Sequence, residues 1–160
     1  MKDKDSPPPK RSLKILNSRE KKEINQKIKE QWGCEFDKEL VFLVNNKNRM
    51  YIADRDIGNI DFSNLKIDNM GLYACNLDKG ARLTIEGSQM LGPKANKNIV
   101  EISDEEVRLW FRGHDLDRKA EDCEGYVIIK NKDDFMGCGK TAEKGILNFV
   151  PKTRRILSSD

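Results

Sequence analysis

Five cations stand where recognition of negative charge would need them. Lys140 follows the Gly137-Cys138-Gly139 turn, Lys152, Arg154 and Arg155 form a knot behind Pro151, and Arg112 closes a segment with an apolar face. From residue 136 to the end, five Lys/Arg stand against two Asp/Glu, and such a cluster is the electrostatic footprint of a phosphate-rich partner. Each cation also has a plainer reading. Lys140 is either a loop-projected phosphate ligand or a solvated strand-end lysine, and Arg112 either binds that partner or caps the C-terminus of its helix. Lys152, Arg154 and Arg155 cannot all share one face of an extended segment, because side chains alternate.

Groups that carry covalent chemistry are not arranged for it. His114 has no Ser, Cys or acidic residue at a catalytic spacing. Cys34, Cys75, Cys123 and Cys138 are widely separated and include no Cys-x-x-Cys pair, which supports neither a zinc site nor a disulfide framework. They are read as buried or incidental thiols; no metal and no cofactor is expected, and the chain is not expected to be an enzyme. Asn148, between Leu147 and Phe149, calls for a structural hydrogen bond before an external one. Trp32, Trp110 and Phe111 fall at helical core spacing and are assigned to packing.

The net charge of +3 conceals an asymmetry. Residues 1–30 carry ten Lys/Arg and five Asp/Glu, residues 31–135 carry fifteen and twenty, and residues 136–160 carry five and two, so both ends are basic around an acidic middle. A length of 160 residues suits one domain or two small ones. No apolar run approaches the roughly 20 residues that span a bilayer. MKDKDSPPPKR has no apolar secretory core, so a cytoplasmic protein is expected.

The elements that position the cations can be read from periodicity. Residues 1–12, with Pro7-Pro8-Pro9, are expected to be a disordered basic tail. Asn17 and Glu20 stand in capping-box spacing ahead of Ile24, Ile28 and Trp32, and Gly33 follows; this predicts an amphipathic helix. Leu40–Val44 and Met50–Ala53 flank an Asn-rich turn as a hairpin. Short strands are expected at 65–67 and at Leu72–Cys75. Residues 86–93 should form a tight loop or one helical turn with close backbone approach. A strand at Ile99–Ile102 precedes a helix capped by Ser103 and Glu106, with Val107, Trp110 and Phe111 on its apolar face and a stop at Gly113. A polar loop, 114–125, leads to three strands with tight turns, Tyr126–Ile129, Phe135–Lys140 and Ile146–Val150, forming an antiparallel meander or small barrel.

Four ordered motifs carry a resemblance. Glu106 to Gly113 (Glu-Val-x-x-Trp-Phe-Arg-Gly), Gly125 to Lys130 (Gly-Tyr-Val-Ile-Ile-Lys), Phe135 to Lys140 (Phe-Met-Gly-Cys-Gly-Lys) and Leu147 to Arg155 (Leu-Asn-Phe-Val-Pro-Lys-Thr-Arg-Arg) resemble the PUA-like RNA-binding domain at the C-terminus of Sun-family rRNA cytosine-C5 methyltransferases. The likeness is clear over about 99–156 and looser back to about Leu65. One departure is Cys138, which stands where that pattern has Trp and is left out of the site. The methyltransferase part of such enzymes needs a Rossmann-like fold and a Pro-Cys motif, and none of the four cysteines follows a proline.

The resemblance implies an α+β protein: a small N-terminal α/β segment followed by a PUA-like β-barrel with flanking helices. The expected division is a tail at 1–12, an N-terminal α/β domain at 13–65 and a PUA-like RNA-binding domain at 66–157. It implies a stand-alone, non-catalytic RNA-binding protein of rRNA or tRNA maturation or ribosome biogenesis, with Arg112, Lys140, Lys152, Arg154 and Arg155 on structured RNA. An RNA methyltransferase or pre-ribosomal particle is the expected wider partner. A small domain joined to a PUA-like one is also the arrangement of small archaeal and eukaryotic ribosome-biogenesis factors, which suggests an archaeal source. The alternative is a protein-interaction adaptor whose acidic middle binds a ribosomal protein or a methyltransferase subunit.

Overall fold

The computed structural model describes residues 13–56 and 70–157. The expected tail at 1–12 and the expected strand at 65–67 lie outside those residues. Three α-helices and two sheets, of five and four strands, make up the described part, so the protein is α+β.

The first sheet has the order β1-β2-β3-β4-β5, all antiparallel. Its strands are β1 (Lys14–Ile15), β2 (Val41–Val44), β3 (Arg49–Ala53), β4 (Leu72–Asn76) and β5 (Arg82–Leu83). The expected hairpin is β2–β3, with Phe42 opposite Ile52 and Val44 opposite Met50. Its turn closes because the Asn45 side-chain oxygen accepts from the backbone N–H groups of Lys47 and Arg49, at 2.9 and 3.0 Å, an Asx-type turn. The sheet takes strands from both sides of the domain boundary expected at 65/66.

Helix α1 (Ser18–Trp32) begins at the predicted box: Asn17 Oδ1 accepts from the Glu20 N–H at 2.9 Å and the Glu20 carboxylate accepts from the Asn17 N–H at 3.2 Å. It lays Ile28 and Trp32, both fully buried, on the first sheet. Helix α2 (Ile85–Leu91) starts where Thr84 accepts the Gly87 N–H at 3.0 Å, and it runs into a 3-10 turn, Gly92–Lys94. The sequence suggested a tight loop or one helical turn here; a seven-residue helix forms because Ile85 and Leu91 both reach apolar cores. The close approach is real. A Cβ on Gly87 would sit 2.0 Å from the Ala74 carbonyl oxygen, so only glycine lets α2 lie against β4.

The second sheet has the order β6-β7-β8-β9, from β6 (Ile99–Glu101), β7 (Tyr126–Asn131), β8 (Asp134–Ala142) and β9 (Gly145–Asn148). β7, β8 and β9 form the predicted meander, and β6 adds in parallel beside β7. The β6–β7 crossover contains α3 (Asp104–Phe111), started by a Ser103–Glu106 capping box. The loop after α3 is pinned at Leu116, which is buried and exchanges two 2.9 Å backbone hydrogen bonds with Ile146.

Of the three apolar clusters among the described residues, two organise the packing around the site. One gathers Val100, Trp110, Val127, Ile129 and Ile146 between α3 and the second sheet. The other joins the sheets: Ile128 of β7 and Cys138 of β8 pack in one cluster with Trp32, Phe42, Met50 and Cys75. Burial on this scale is the main driving force of the fold.

Candidate nucleic-acid interface

Where the sheets meet, the surface opens into a cleft of about 590 Å³. One wall is Arg49 at the start of β3, Tyr73 and Asn76 of β4, and Arg82 of β5. The other is Gly137 and Cys138 of β8 with Phe149, Thr153 and Arg154 from the segment after β9; Thr84 and Glu86 lie at the α2 end.

Cations and aromatic rings alternate along this surface. The Arg49 guanidinium lies 5.6 Å from the Tyr73 ring centre, and that of Arg82 lies 4.7 Å from the Phe149 ring centre. Phe149 meets Tyr126 edge-to-face at 6.0 Å, and Lys140 Nζ lies 5.4 Å from the Tyr126 ring. Tyr126 and Lys140 are cross-strand partners in β7–β8, so sheet register places the lysine over the ring. Burial pushes the Tyr126 phenol up, with Arg82 opposing, and its hydroxyl donates to the Lys79 carbonyl at 3.2 Å. Cation–π contacts hold guanidinium groups in place while leaving their N–H donors for other partners.

The five sequence-predicted cations separate in space. Arg154 lines the cleft and is ion-paired with Glu86 through Nη1 and Oε1. Lys140 joins the cleft through the Tyr126–Phe149 ladder. Lys152 is exposed on the 3-10 turn Lys152–Arg154. Arg155 turns inward: its Nε donates to the Val150 carbonyl at 3.1 Å, and it packs on Gly113, where a Cβ would come within 2.4 Å of that nitrogen. Arg112 is exposed at the end of α3, where its backbone N–H caps the helix. Arg154 and Arg155 therefore face different surroundings, but not through the strand alternation expected from the sequence: Lys152–Arg154 is a 3-10 turn, and Arg155 follows it in extended backbone.

Asn148 explains why this segment is fixed. Its side-chain nitrogen donates to the carbonyls of Trp110 and His114 at 2.7 and 2.9 Å, and its oxygen accepts the Val150 N–H at 2.7 Å. One amide thus ties the end of α3 to the strand that delivers Phe149. Trp110 is fully buried and donates from Nε1 to the Met136 carbonyl at 2.9 Å, and Trp32 is equally buried; both serve packing. Cys138 is buried in the core behind the cleft, where desolvation pushes its thiol up to about 12. Burial pushes Cys75, beside it in the same cluster, further in the same direction.

Arg49, Tyr73, Arg82, Tyr126 and Phe149 were not picked out by the sequence. Four are ordinary strand residues and Phe149 directly follows β9, and only the pairing of β3 with β4 and β4 with β5, set against the meander, brings them together. The available signal was weak: Arg49 and Arg82 each begin a short strand directly after a turn.

Comparison with known proteins finds a family likeness in the C-terminal part of the chain. A family model described as the Methyltransferase RsmF PUA domain matches residues 97–156. Ribosomal RNA small subunit methyltransferase F of Vibrio atlanticus (strain LGP32) is 28% identical over 142 residues, covering 82% of this chain and 28% of that protein. The protein of that name from Aeromonas salmonicida (strain A449) is 29% identical over 89 residues, covering 55% of this chain and 19% of its own. The counterpart in Vibrio cholerae serotype O1 (strain M66-2) is 27% identical over 89 residues, with the same coverages of 55% and 19%. The matched part of the chain therefore spans 19% to 28% of the length of these relatives. From the four motifs, the meander that carries them and the family match, residues 97–156 resemble the PUA-like C-terminal domain of the Sun-family rRNA methyltransferases.

Proposed function

We propose that this protein binds structured RNA in rRNA or tRNA maturation or ribosome biogenesis, in the cytoplasm, without catalysis of its own, and presents RNA to a separate modification enzyme. The observation that carries this reading is the cleft in which Arg49 and Arg82 sit against Tyr73 and Phe149, with Lys140 over Tyr126 beside it. Arginines contact phosphates while aromatic rings and guanidinium planes take unstacked bases, the combination used on single-stranded and looped RNA. The likeness to proteins named as ribosomal RNA methyltransferases supports RNA as the polyanion. Among the described residues, no helix is long and apolar enough to cross a membrane.

Salt dependence tests the reading. With Arg49, Arg82, Lys140 and Lys152 each neutralising a phosphate, log affinity for a fluorescein-labelled rRNA hairpin should fall against log salt with a slope of about −3 to −4. A flat dependence, or no binding at low salt, overturns it.

A further inference from the structure

We infer that the cleft is a site for one unpaired nucleotide, with guanine preferred, and that Glu86 reads the base. This inference rests on the RNA-binding reading and adds the ligand class and the residue that selects it. Three observations carry it. The first is shape: a cleft of about 590 Å³ lies within the roughly 300–1,000 Å³ of small-ligand sites, whereas a duplex keeps its bases inside and offers a backbone that suits an open surface.

The second is lining. Arg82 held over Phe149 and Arg49 held over Tyr73 are platforms on which a base can stack, by guanidinium plane or ring. The third is a carboxylate where a plain phosphate clamp would have none. Glu86 lies in the cleft with Oε1 held by Arg154. Its charge opposes phosphate at that spot, but its second oxygen accepts hydrogen bonds. Guanine presents adjacent N1–H and N2–H donors on its Watson–Crick edge. Adenine and cytosine place a ring acceptor beside their amino group, and uracil sets one N–H between two carbonyls, so a carboxylate favours guanine.

The ion pair also explains how Glu86 stays aimed. Arg154 fixes one oxygen, and Glu86 starts on the first turn of α2, whose Thr84 cap and Gly87 contact fix the helix on β4. The phosphate of the same nucleotide is left to Arg49 and Arg82.

The experiment uses fluorescence anisotropy with the full chain and an RNA stem carrying a single bulged nucleotide, G, A, C or U, beside the same stem fully paired. Wild-type protein should bind the bulged-G stem about tenfold more tightly than the paired stem and the bulged-A stem. Glu86→Gln, checked for an unchanged melt, should lose the preference for G over A while binding the paired stem as well as before or better. Phe149→Ala should weaken the bulged stems by about tenfold and leave the paired stem within about twofold. Equal binding of bulged and paired stems overturns the nucleotide site and leaves RNA binding standing. Retention of the G preference by Glu86→Gln overturns the role of Glu86. Absence of salt-sensitive binding to every stem removes the RNA reading itself.

Discussion

Asn148 shows how a single side chain controls the candidate site without touching a ligand. It supplies three hydrogen bonds that join Trp110, His114 and Val150, and Phe149 is its neighbour. Asn148→Ala leaves two carbonyls and one N–H without that partner, and a loss of roughly 2–3 kcal/mol is expected for bonds of about 1 kcal/mol each. Urea denaturation should show it as a lower midpoint, and RNA affinity should fall as Phe149 loses its anchor. An unchanged midpoint would mean that water replaces the amide fully. The buried thiols make a pH prediction at the same scale. Cys138 keeps its proton to about pH 12 in the folded state against an ordinary value of 9.0, and burial shifts Cys75 the same way. Above pH 9 the unfolded chain therefore releases protons that the folded chain retains, so stability is undiminished below that pH. It falls between about pH 9 and 12, at about 1.4 kcal/mol per pH unit for each thiol. Denaturation midpoints measured across this range should decline, and Cys138→Ala should reduce the slope after allowance for its own packing cost. Stability that stays level from pH 9 to 11 contradicts the assignment.

At the scale of elements, local signals settled the most where physics is local. Both capping boxes, the Asn-rich hairpin turn and the meander follow from residues within a few positions of one another. β1 and β5 escaped notice because two-residue strands have no period to read; their pairing with β2 and β4 defines them. α2 was legible as a close approach and as at most one helical turn, since Gly87, Gly92 and Pro93 disfavour helix locally, and packing against β4 and β8 overrides that. The site divided in the same way. Arg154 could be found from the basic knot, and Lys140 was picked out for a glycine turn that the structure replaces with the middle of β8, whereas Arg49 and Arg82 needed the register of the first sheet. The seam between α2 and β4 yields a prediction. In Gly87→Ala a methyl group would have to occupy space 2.0 Å from the Ala74 carbonyl oxygen, so α2 must shift outward or β4 must bend. A cost of about 2–3 kcal/mol is expected, in line with overpacking elsewhere, together with weaker selection of bulged RNA, because Glu86 moves with the helix. A melting temperature and RNA selectivity equal to those of wild type would show that the seam yields freely.

For the whole molecule, the site and the core lead to one question, whether the family-matched segment is a unit by itself. Residues 97–156 match the PUA model, yet Arg49, Tyr73, Asn76, Arg82 and Glu86 of the cleft lie outside them. The packing is shared as well. Ile128 and Cys138, fully and nearly fully buried, pack in the cluster with Trp32, Phe42 and Cys75, and Phe135 lies against Gly92. A fragment of residues 97–160 would bare that apolar face while keeping only the core under α3. Each large side chain so exposed forfeits about 1.5–3 kcal/mol of burial, against a total stability of about 5–15 kcal/mol for a domain. The fragment is expected to show no cooperative thermal transition by circular dichroism and to bind a dye for exposed apolar surface, while the full chain melts in a single step. RNA binding should follow folding: Arg49→Ala with Arg82→Ala in the full chain, both outside the matched segment, should weaken binding by at least tenfold with the melt unchanged. A fragment that melts cooperatively and binds RNA as tightly as the full chain would confine the grip to the C-terminal domain and remove the first sheet from the site.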